Sequence, residues 1–349
     1  MMTASIIRDS EPLQPWFLPP QFYDRDEQLQ HIESAVNQQS VLTNLHLFGP
    51  RGAGKTHTVR QVLESLDQIS TCIVQCEQQD TQYKVLKQLC QTVTDKNVPD
   101  GHHSSDLKRL FEKRSSQLRT VVVLDQVDFL LLNDGSDLLY YLSRIRHRDK
   151  ISIITISETS PTLKTELDER TYSTLSPDMV LFEPYSTEDL FQILWDRATQ
   201  AIHSGSVQRK AVTYIASSTE NAAYGLQWLK TAAHHADTVV TEDLVRRVRP
   251  ETDKAYIDQL LSGLTAHHRL IYDAVVELTT DSQEVVHTGE IYETYRQLAR
   301  SDRMKPLSDR RISDYIKHLE LLQVIEADYH YGGEKGKTRE ISLQFSQNH

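Results

Sequence analysis

Residues Gly49 to Thr56 read GPRGAGKT, a G-x-x-x-x-G-K-[ST] run between an apolar-leaning stretch, Leu45-His46-Leu47-Phe48, and a helix-like one, His57 to Leu66. A strand entering such a run and a helix leaving it is the setting in which the pattern builds a phosphate site, so it restricts this chain more than any other feature. Glycines at 49, 52 and 54 let the backbone turn back on itself, and consecutive N–H groups then converge on one anion-sized point. The N-terminus of the following helix adds partial positive charge beneath it. Lys55 is placed to reach the β- and γ-phosphates of a nucleotide, and the Thr56 hydroxyl to ligate Mg²⁺. ATP or ADP with Mg²⁺ is the ligand this chemistry implies.

The second landmark is TVVVLDQVD, Thr120 to Asp128. An uninterrupted apolar run suits a central parallel strand buried on both faces, and an acid at its C-terminal end falls where ligands bind in such sheets. Asp125 is the expected Mg²⁺ carboxylate, directly or through a water. Beside it stands Gln126, whose amide can orient an attacking water but cannot take its proton. General-base help is worth ~10²–10⁴-fold, so slow turnover is expected. A further strand, Ile151 to Ser157, ends at Ser157-Glu158-Thr159, where nucleotidases of this plan carry a polar residue facing the γ-phosphate. An acid facing a triphosphate is unfavourable, so Glu158 is expected to turn away or to weaken that role.

Around these landmarks the chain divides into four parts. Residues 1–22, with Pro12, Pro15, Pro19 and Pro20, read as an extended segment. Residues 23–180 alternate strand and helix: a helix opened by Asp24-Arg25-Asp26-Glu27, the phosphate loop, a strand at 71–75, helices at 82–93 and 106–117, and the two strands above. That alternation predicts a parallel sheet with helices on both faces. A helix at 136–146 and a polar loop over 160–180 complete this part. Residues 181–261 read as a helical lid, with Ser186 capping a stripe of Leu190, Ile193, Leu194 and Ala198, helices at 207–217, 222–236 and 241–248, and a break at Arg249-Pro250. Residues 262–349 give helices at 267–278, 290–300 and 308–322, a strand at 324–329, a turn at Gly332-Gly333-Glu334-Lys335-Gly336 and a last strand at 337–345. Helices followed by a β-hairpin describe a winged helix-turn-helix.

The net charge is −11, so any nucleic-acid contact must come from a local patch. The three cysteines, Cys72, Cys76 and Cys90, form no CxxC and read as buried thiols in a reducing compartment, not as a disulfide frame or zinc site. The paired histidines at 102–103, 234–235 and 267–268 lack partners at metal spacing. No apolar run approaches roughly 18 residues and MMTASIIRDSEP carries no export pattern, so a soluble, cytoplasmic protein without a membrane partner is expected.

The ordered set GPRGAGKT, VVVLDQVDFL with LLYYLSRI, LDERTYS, LFEPYSTEDLFQILWDRA and LTAHHRLIYDAV through LSDRRISDYIKHLELLQVIEA resembles the archaeal replication-initiator family. These are AAA+ ATPases related to the origin recognition complex and to the cell division control loader. The resemblance covers nearly everything after about residue 19 and implies an α/β plus α fold: an AAA+ module, comprising a RecA-like parallel sheet and a helical lid, followed by a C-terminal winged helix on duplex DNA at replication origins. It also implies partnership with paralogous initiators or a replicative helicase. It assigns Gly49, Gly52, Ala53, Gly54, Lys55 and Thr56 to the phosphates, and Tyr185 and Arg197 to the nucleotide. On its own residues, Tyr185 reads equally as a core aromatic at a domain junction. Departures accompany the match: Gln126 where the family has Glu, Glu158 where it has Asn, and Ala223 where a GDAR-like motif has Arg. Arg170 stands in the segment that supplies an arginine finger in trans, although LDERTYS is not a close match. Such a finger is worth ~10³–10⁵ in rate, so the combined losses imply a nucleotide-binding switch with weak turnover.

Residues 262–349 hold 11 Lys plus Arg against 14 Asp plus Glu, so positive charge there is local. Lys305, Arg310, Arg311 and Lys317 lie at the start of and along the expected recognition helix, and Lys335, Lys337 and Arg339 on the wing. The former could meet base edges in the major groove, the latter phosphates or the minor groove. Two other functions fit the same residues: a non-replicative paralogue acting as a transcriptional or plasmid regulator, and an active clamp-loader-like ATPase.

Overall fold

A computed structural model describes residues 5–37, 42–66, 69–133, 135–146, 148–158, 162–280, 285–330 and 338–345. It divides into two compact units, residues 1–249 and 250–349. The first begins with α1 (Asp26–Asn37), β1 (Leu45–Phe48), α2 (Lys55–Glu64), β2 (Ser70–Gln75), α3 (Gln82–Thr94) and α4 (Ser104–Ser115). It continues through β3 (Thr120–Asp125), α5 (Val127–Leu131), α6 (Ser136–Ser143), β4 (Ile151–Ser157), α7 (Thr162–Glu166), α8 (Glu169–Leu175) and β5 (Asp178–Leu181). The five strands pair in parallel in the order β2-β3-β4-β1-β5. Every residue of β3 and β4 is buried, as expected of strands covered by helices on both faces. On one face Ile32 and Val36 of α1 and Val59 and Val62 of α2 close over Leu45, Leu47, Val121, Val123, Ile154 and Ile156.

The strand order positions the site. Because β4 lies between β1 and β3, residue 158 leaves the sheet between the phosphate loop after β1 and Asp125 at the end of β3. His46 of β1 pins that strand end: its Nδ1 lies 2.9 Å from Thr155 Oγ1 and its Nε2 3.2 Å from Ser157 Oγ.

The expected polar loop over 160–180 contains α7, α8 and the edge strand β5. Asp168 caps α8 by accepting from Thr171 N at 2.8 Å, and β5 is four residues long with only Val180 buried, too short and too exposed for an apolar pattern to announce it. The N-terminal segment is extended but not detached. Ile6 and Leu13 are buried, residues 11–13 form a 3₁₀ turn, and Ile7 bridges Ile202.

The lid is built of α9 (Thr187–Ala201), α10 (Arg209–Ser218), α11 (Ala222–His235) and α12 (Glu242–Arg247). Ser186, Asn221 and Thr241 cap three of these by accepting from the third residue along. Trp228 is fully buried at its centre and donates Nε1 to Val245 O at 2.8 Å. The next helix, α13 (Arg249–Leu261), crosses the division between the units. The expected break at Arg249-Pro250 falls where α12 ends and α13 begins, with Pro250 in the first turn of the new helix, where no N–H is needed.

In the second unit α14 (Ala266–Thr280), β6 (Val286–His287), α15 (Thr288–Ser301), α16 (Asp309–Leu321), β7 (Ile325–His330) and β8 (Thr338–Leu343) form a winged helix. The short β6, absent from the sequence reading, joins β8 so that the sheet runs β6-β8-β7, all antiparallel. Ile271, Val275, Ile291, Tyr295, Ile312, Ile316, Leu319 and Ile341 form its core.

Within this unit His268 is buried, its ring stacked on Tyr315 with centroids 3.7 Å apart and its Nε2 3.0 Å from His318 Nδ1. Burial, reinforced by His318 and His267, holds its pKa down at about 3. The unfolded chain protonates near 6.5 while the folded one does not, so this stabilisation is complete above pH 6.5 and declines as pH falls below it. Between pH 6.5 and 5 the winged-helix unit is expected to lose about 1.5 kcal/mol more than its His268→Asn variant. Urea unfolding of both chains at the two pH values measures the difference, and parallel losses would refute it.

Candidate functional site: a phosphate cradle beneath the lid

The loop from β1 to α2 forms a cradle whose glycines are required by what lies against them. Gly54 has φ +89°, and a Cβ there would lie 2.3 Å from the Tyr185 hydroxyl; Gly52 has φ +78°, and a Cβ would lie 2.1 Å from Asn221 Oδ1. The lid's Asn221 thus sits directly on the loop. Lys55, 7 % exposed, donates Nζ to Gly49 O at 2.6 Å and Pro50 O at 2.8 Å, folded back across the cradle. Burial brings its pKa down to about 8, with Glu158 and Asp125 acting against that shift. A phosphate entering the cradle offers this ammonium a charged acceptor in place of two carbonyls.

Thr56 Oγ1 donates to Asp125 Oδ2 at 2.9 Å, and burial raises the Asp125 carboxyl above its ordinary range. These two oxygens suit Mg²⁺, which takes one or two protein oxygens alongside phosphate and water. Among the described residues no cluster of three or more His, Cys, Asp or Glu is arranged for a metal. Gln126, just past the end of β3, has left-handed backbone angles, and its Oε1 is buried without a hydrogen-bond partner among the described residues.

Glu158 does not turn away. It forms an ion pair with Arg51 of the phosphate loop, the side chains 13 % and 12 % exposed, and its amide donates to Asp128 Oδ2 at 3.3 Å. The cationic fork of Arg51 compensates an acid that would otherwise be buried alone, which is why the acid is tolerated here.

Beside Gly52 and Gly54 lies a cleft lined by Pro15, Phe22, His57, Tyr185, Arg197 and Ala223. Tyr185 is held by Arg25, whose guanidinium carbon is 4.0 Å from the ring centroid. Arg25 also donates Nε to Ala53 O at 3.0 Å and Nη2 to Glu183 O at 2.7 Å, tying the cradle to the first residues leading into the lid. Arg197 lines the cleft, but its Nη1 and Nη2 donate to Pro12 O at 3.2 Å and Phe17 O at 2.9 Å. It anchors the N-terminal wall of the cleft.

Arg170 lies elsewhere, exposed on α8 and stacked over Tyr140 of α6 with its guanidinium carbon 5.0 Å from the ring. In the winged helix Lys305, Arg310 and Arg311 are exposed, Lys317 pairs with Asp314 at 3.5 Å, and Arg339 of β8 donates to Ser313 O at 3.5 Å. Lys335, Lys337 and the glycine-rich turn lie outside the described residues. The sequence reading missed Arg25, Arg51 and the seating of Asn221. Arg51 stood in plain view at a free position of the motif, whereas Arg25 was masked by the acids around it in DRDE.

Residues 42–160 match the AAA domain family, and residues 259–349 match the CDC6 C-terminal winged helix domain. The chain is 30 % identical to ORC1-type DNA replication protein 1 of Sulfurisphaera tokodaii, over 99 % of this chain and 92 % of that one. This chain belongs to the ORC1-type DNA replication protein family. A second member, from Thermococcus onnurineus, is 30 % identical over 97 % of this chain and 88 % of its own. Among solved structures, the Aeropyrum pernix ORC1 protein in complex with DNA superposes with a TM-score of 0.77 at 26 % identity, covering 99 % of this chain and 95 % of that one. Family membership accounts for the AAA module and the winged helix together. The Arg51–Glu158 pair and the bare Ala222-Ala223 at the start of α11 are read from this chain's own residues.

Proposed function

We propose that this chain is a nucleotide-bound initiator of DNA replication that grips duplex DNA with its winged helix and hydrolyses ATP slowly. The cradle carries the reading: Lys55, Thr56 and Asp125 converge where a phosphate and Mg²⁺ would lie, beneath a lid that touches the loop at Gly52. Within it Gly49, Gly52, Ala53 and Gly54 cradle the phosphates, Lys55 binds them, Thr56 and Asp125 hold the metal, and Tyr185 packs by the nucleotide. Gln126 orients water and accepts no proton, and Ala223 supplies no charge, so hydrolysis falls well below ~1 s⁻¹. Purified chain is expected to bind ADP or ATP stoichiometrically and to turn over more slowly than that with DNA present. Failure to bind either nucleotide would sink the reading.

For DNA, Arg310 and Arg311 at the start of α16 are the proposed principal contacts, with Lys305, Lys317, Lys335, Lys337 and Arg339 supporting. The variant Arg310→Ala with Arg311→Ala is expected to lose at least tenfold in duplex affinity at low salt while its unfolding curve is unchanged. Its log K against log salt should flatten by roughly 0.9 for each phosphate contact removed. Retained affinity in a fluorescence anisotropy titration would refute this placement. Paralogous initiators or a replicative helicase are the partners this role requires. A regulatory paralogue is the second reading, favoured by Gln126 and Ala223. Chromosomal sites enriched at promoters and absent from replication start sites would select it.

A further inference from the structure

We infer that the Tyr23–Asp196 hydrogen bond is a catch on the lid, setting how fast nucleotide enters and leaves without setting how tightly it is held. The inference rests on the nucleotide reading above and adds a gate to it. Residues 7–17 travel with the lid. Ile7 bridges Ile202, Arg8 donates Nη2 to Gln200 O at 2.8 Å, Arg197 gathers the carbonyls of Pro12 and Phe17, and Lys230 of α11 donates Nζ to Gln14 Oε1 at 3.0 Å. Arg25 is instead fixed to the phosphate loop at Ala53 O and to Glu183 O, ahead of the lid. Between these two sets of anchors Tyr23 donates its hydroxyl to the Asp196 carboxylate of α9. That bond, with burial, holds the Tyr23 pKa up at about 12, so the hydroxyl remains a donor at physiological pH.

The N-terminal segment therefore joins loop to lid a second time, beside the covalent link through residues 182–186. Its length limits how far the lid can swing. From Arg25 to Tyr23 is two residues, a reach of roughly 7 Å at full stretch. Asp24 between them is held in a left-handed turn at φ +50°, which a residue with a Cβ keeps where its surroundings fix both neighbours. With the Tyr23 bond broken, the next hydrogen bond to the lid among the described residues is at Phe17, eight residues from Arg25, and the reach becomes roughly 27 Å. One hydrogen bond thus separates a short tether from a long one. Pro15, Tyr23 and Arg197 line the cleft, so a lid that swings away takes that wall with it and opens a path to solvent.

Nucleotide that passes only through the open lid meets the same catch in both directions. Breaking it raises the open fraction of the empty and the loaded chain alike, so association and dissociation accelerate together and their ratio holds. Stopped-flow mixing of the full chain with Mg²⁺ and a fluorescent ADP analogue, followed by a chase with excess ADP, reads both rates, and calorimetry with ADP reads the affinity. Tyr23→Phe and, separately, Asp196→Ala are expected to raise each rate about tenfold and to leave Kd within about threefold of wild type. The double variant is expected to be no faster than either single one, because the two side chains make one bond. Unchanged rates overturn the catch. So do rates that multiply in the double variant, and so does faster dissociation with unchanged association, which would make Tyr23 a contact to the ligand. Each of these leaves nucleotide binding standing, whereas a chain that takes up no nucleotide overturns both readings. If one variant fails to fold, the other decides alone.

Discussion

Lys55→Ala is expected to lower nucleotide affinity a hundredfold or more while leaving the fold in place. The Lys55 ammonium donates to two loop carbonyls; charge-assisted hydrogen bonds are worth about 1.5–3 kcal/mol each, so the loss of two such bonds to a bound phosphate would exceed two decades in affinity. The fold is spared because burial already depresses this ammonium, with a pKa of about 8, so that its removal relieves a desolvation cost as it takes away two hydrogen bonds to loop carbonyls. Titration calorimetry with ADP reads the first effect and thermal unfolding the second. Undiminished affinity would show that the loop does not hold phosphate through Lys55.

The second large effect is expected at Arg25, a side chain 1 % exposed. Its guanidinium donates to the carbonyls of Asp24, Ala53 and Glu183 and lies over the rings of Tyr185 and Phe182. Arg25→Met keeps much of the volume but leaves buried carbonyls without donors, costing about 3 kcal/mol. For a unit of this size that is a fall in Tm of about 6–12 °C. Nucleotide affinity should fall at least tenfold as well, because Tyr185 loses the plate it rests on. Arg25→Lys should recover little, since an ammonium cannot reach the separated carbonyls with one planar fork. A Met variant with wild-type Tm and wild-type ADP affinity would remove Arg25 from the site.

Much of the fold was legible because its determinants are contiguous. The apolar runs of β1, β3 and β4 and the alternation of strand with helix announced a parallel sheet, and helices before a hairpin announced the winged helix. Elements that bury little by themselves were not legible: β5, with one buried residue, the two-residue β6, and the short helices α7 and α8. They exist because neighbours supply partners, which no local pattern encodes. The N-terminal segment illustrates the same point, since its prolines correctly signal extended chain but carry no sign that Arg197 will gather its carbonyls.

The cradle and the acid facing it follow from contiguous residues. Glycines, Lys55 and Thr56 are adjacent, and an apolar strand ending in Asp125 needs only its own pattern to be buried and correctly aimed. Tertiary structure alone decided what surrounds them: that Arg25 joins the loop to Glu183, 158 residues away, and that Glu158 meets Arg51. Such pairings depend on strand order, because inserting β4 between β1 and β3 brings its end to the phosphate loop. Charge becomes chemistry only where burial removes water from between partners that the chain keeps far apart.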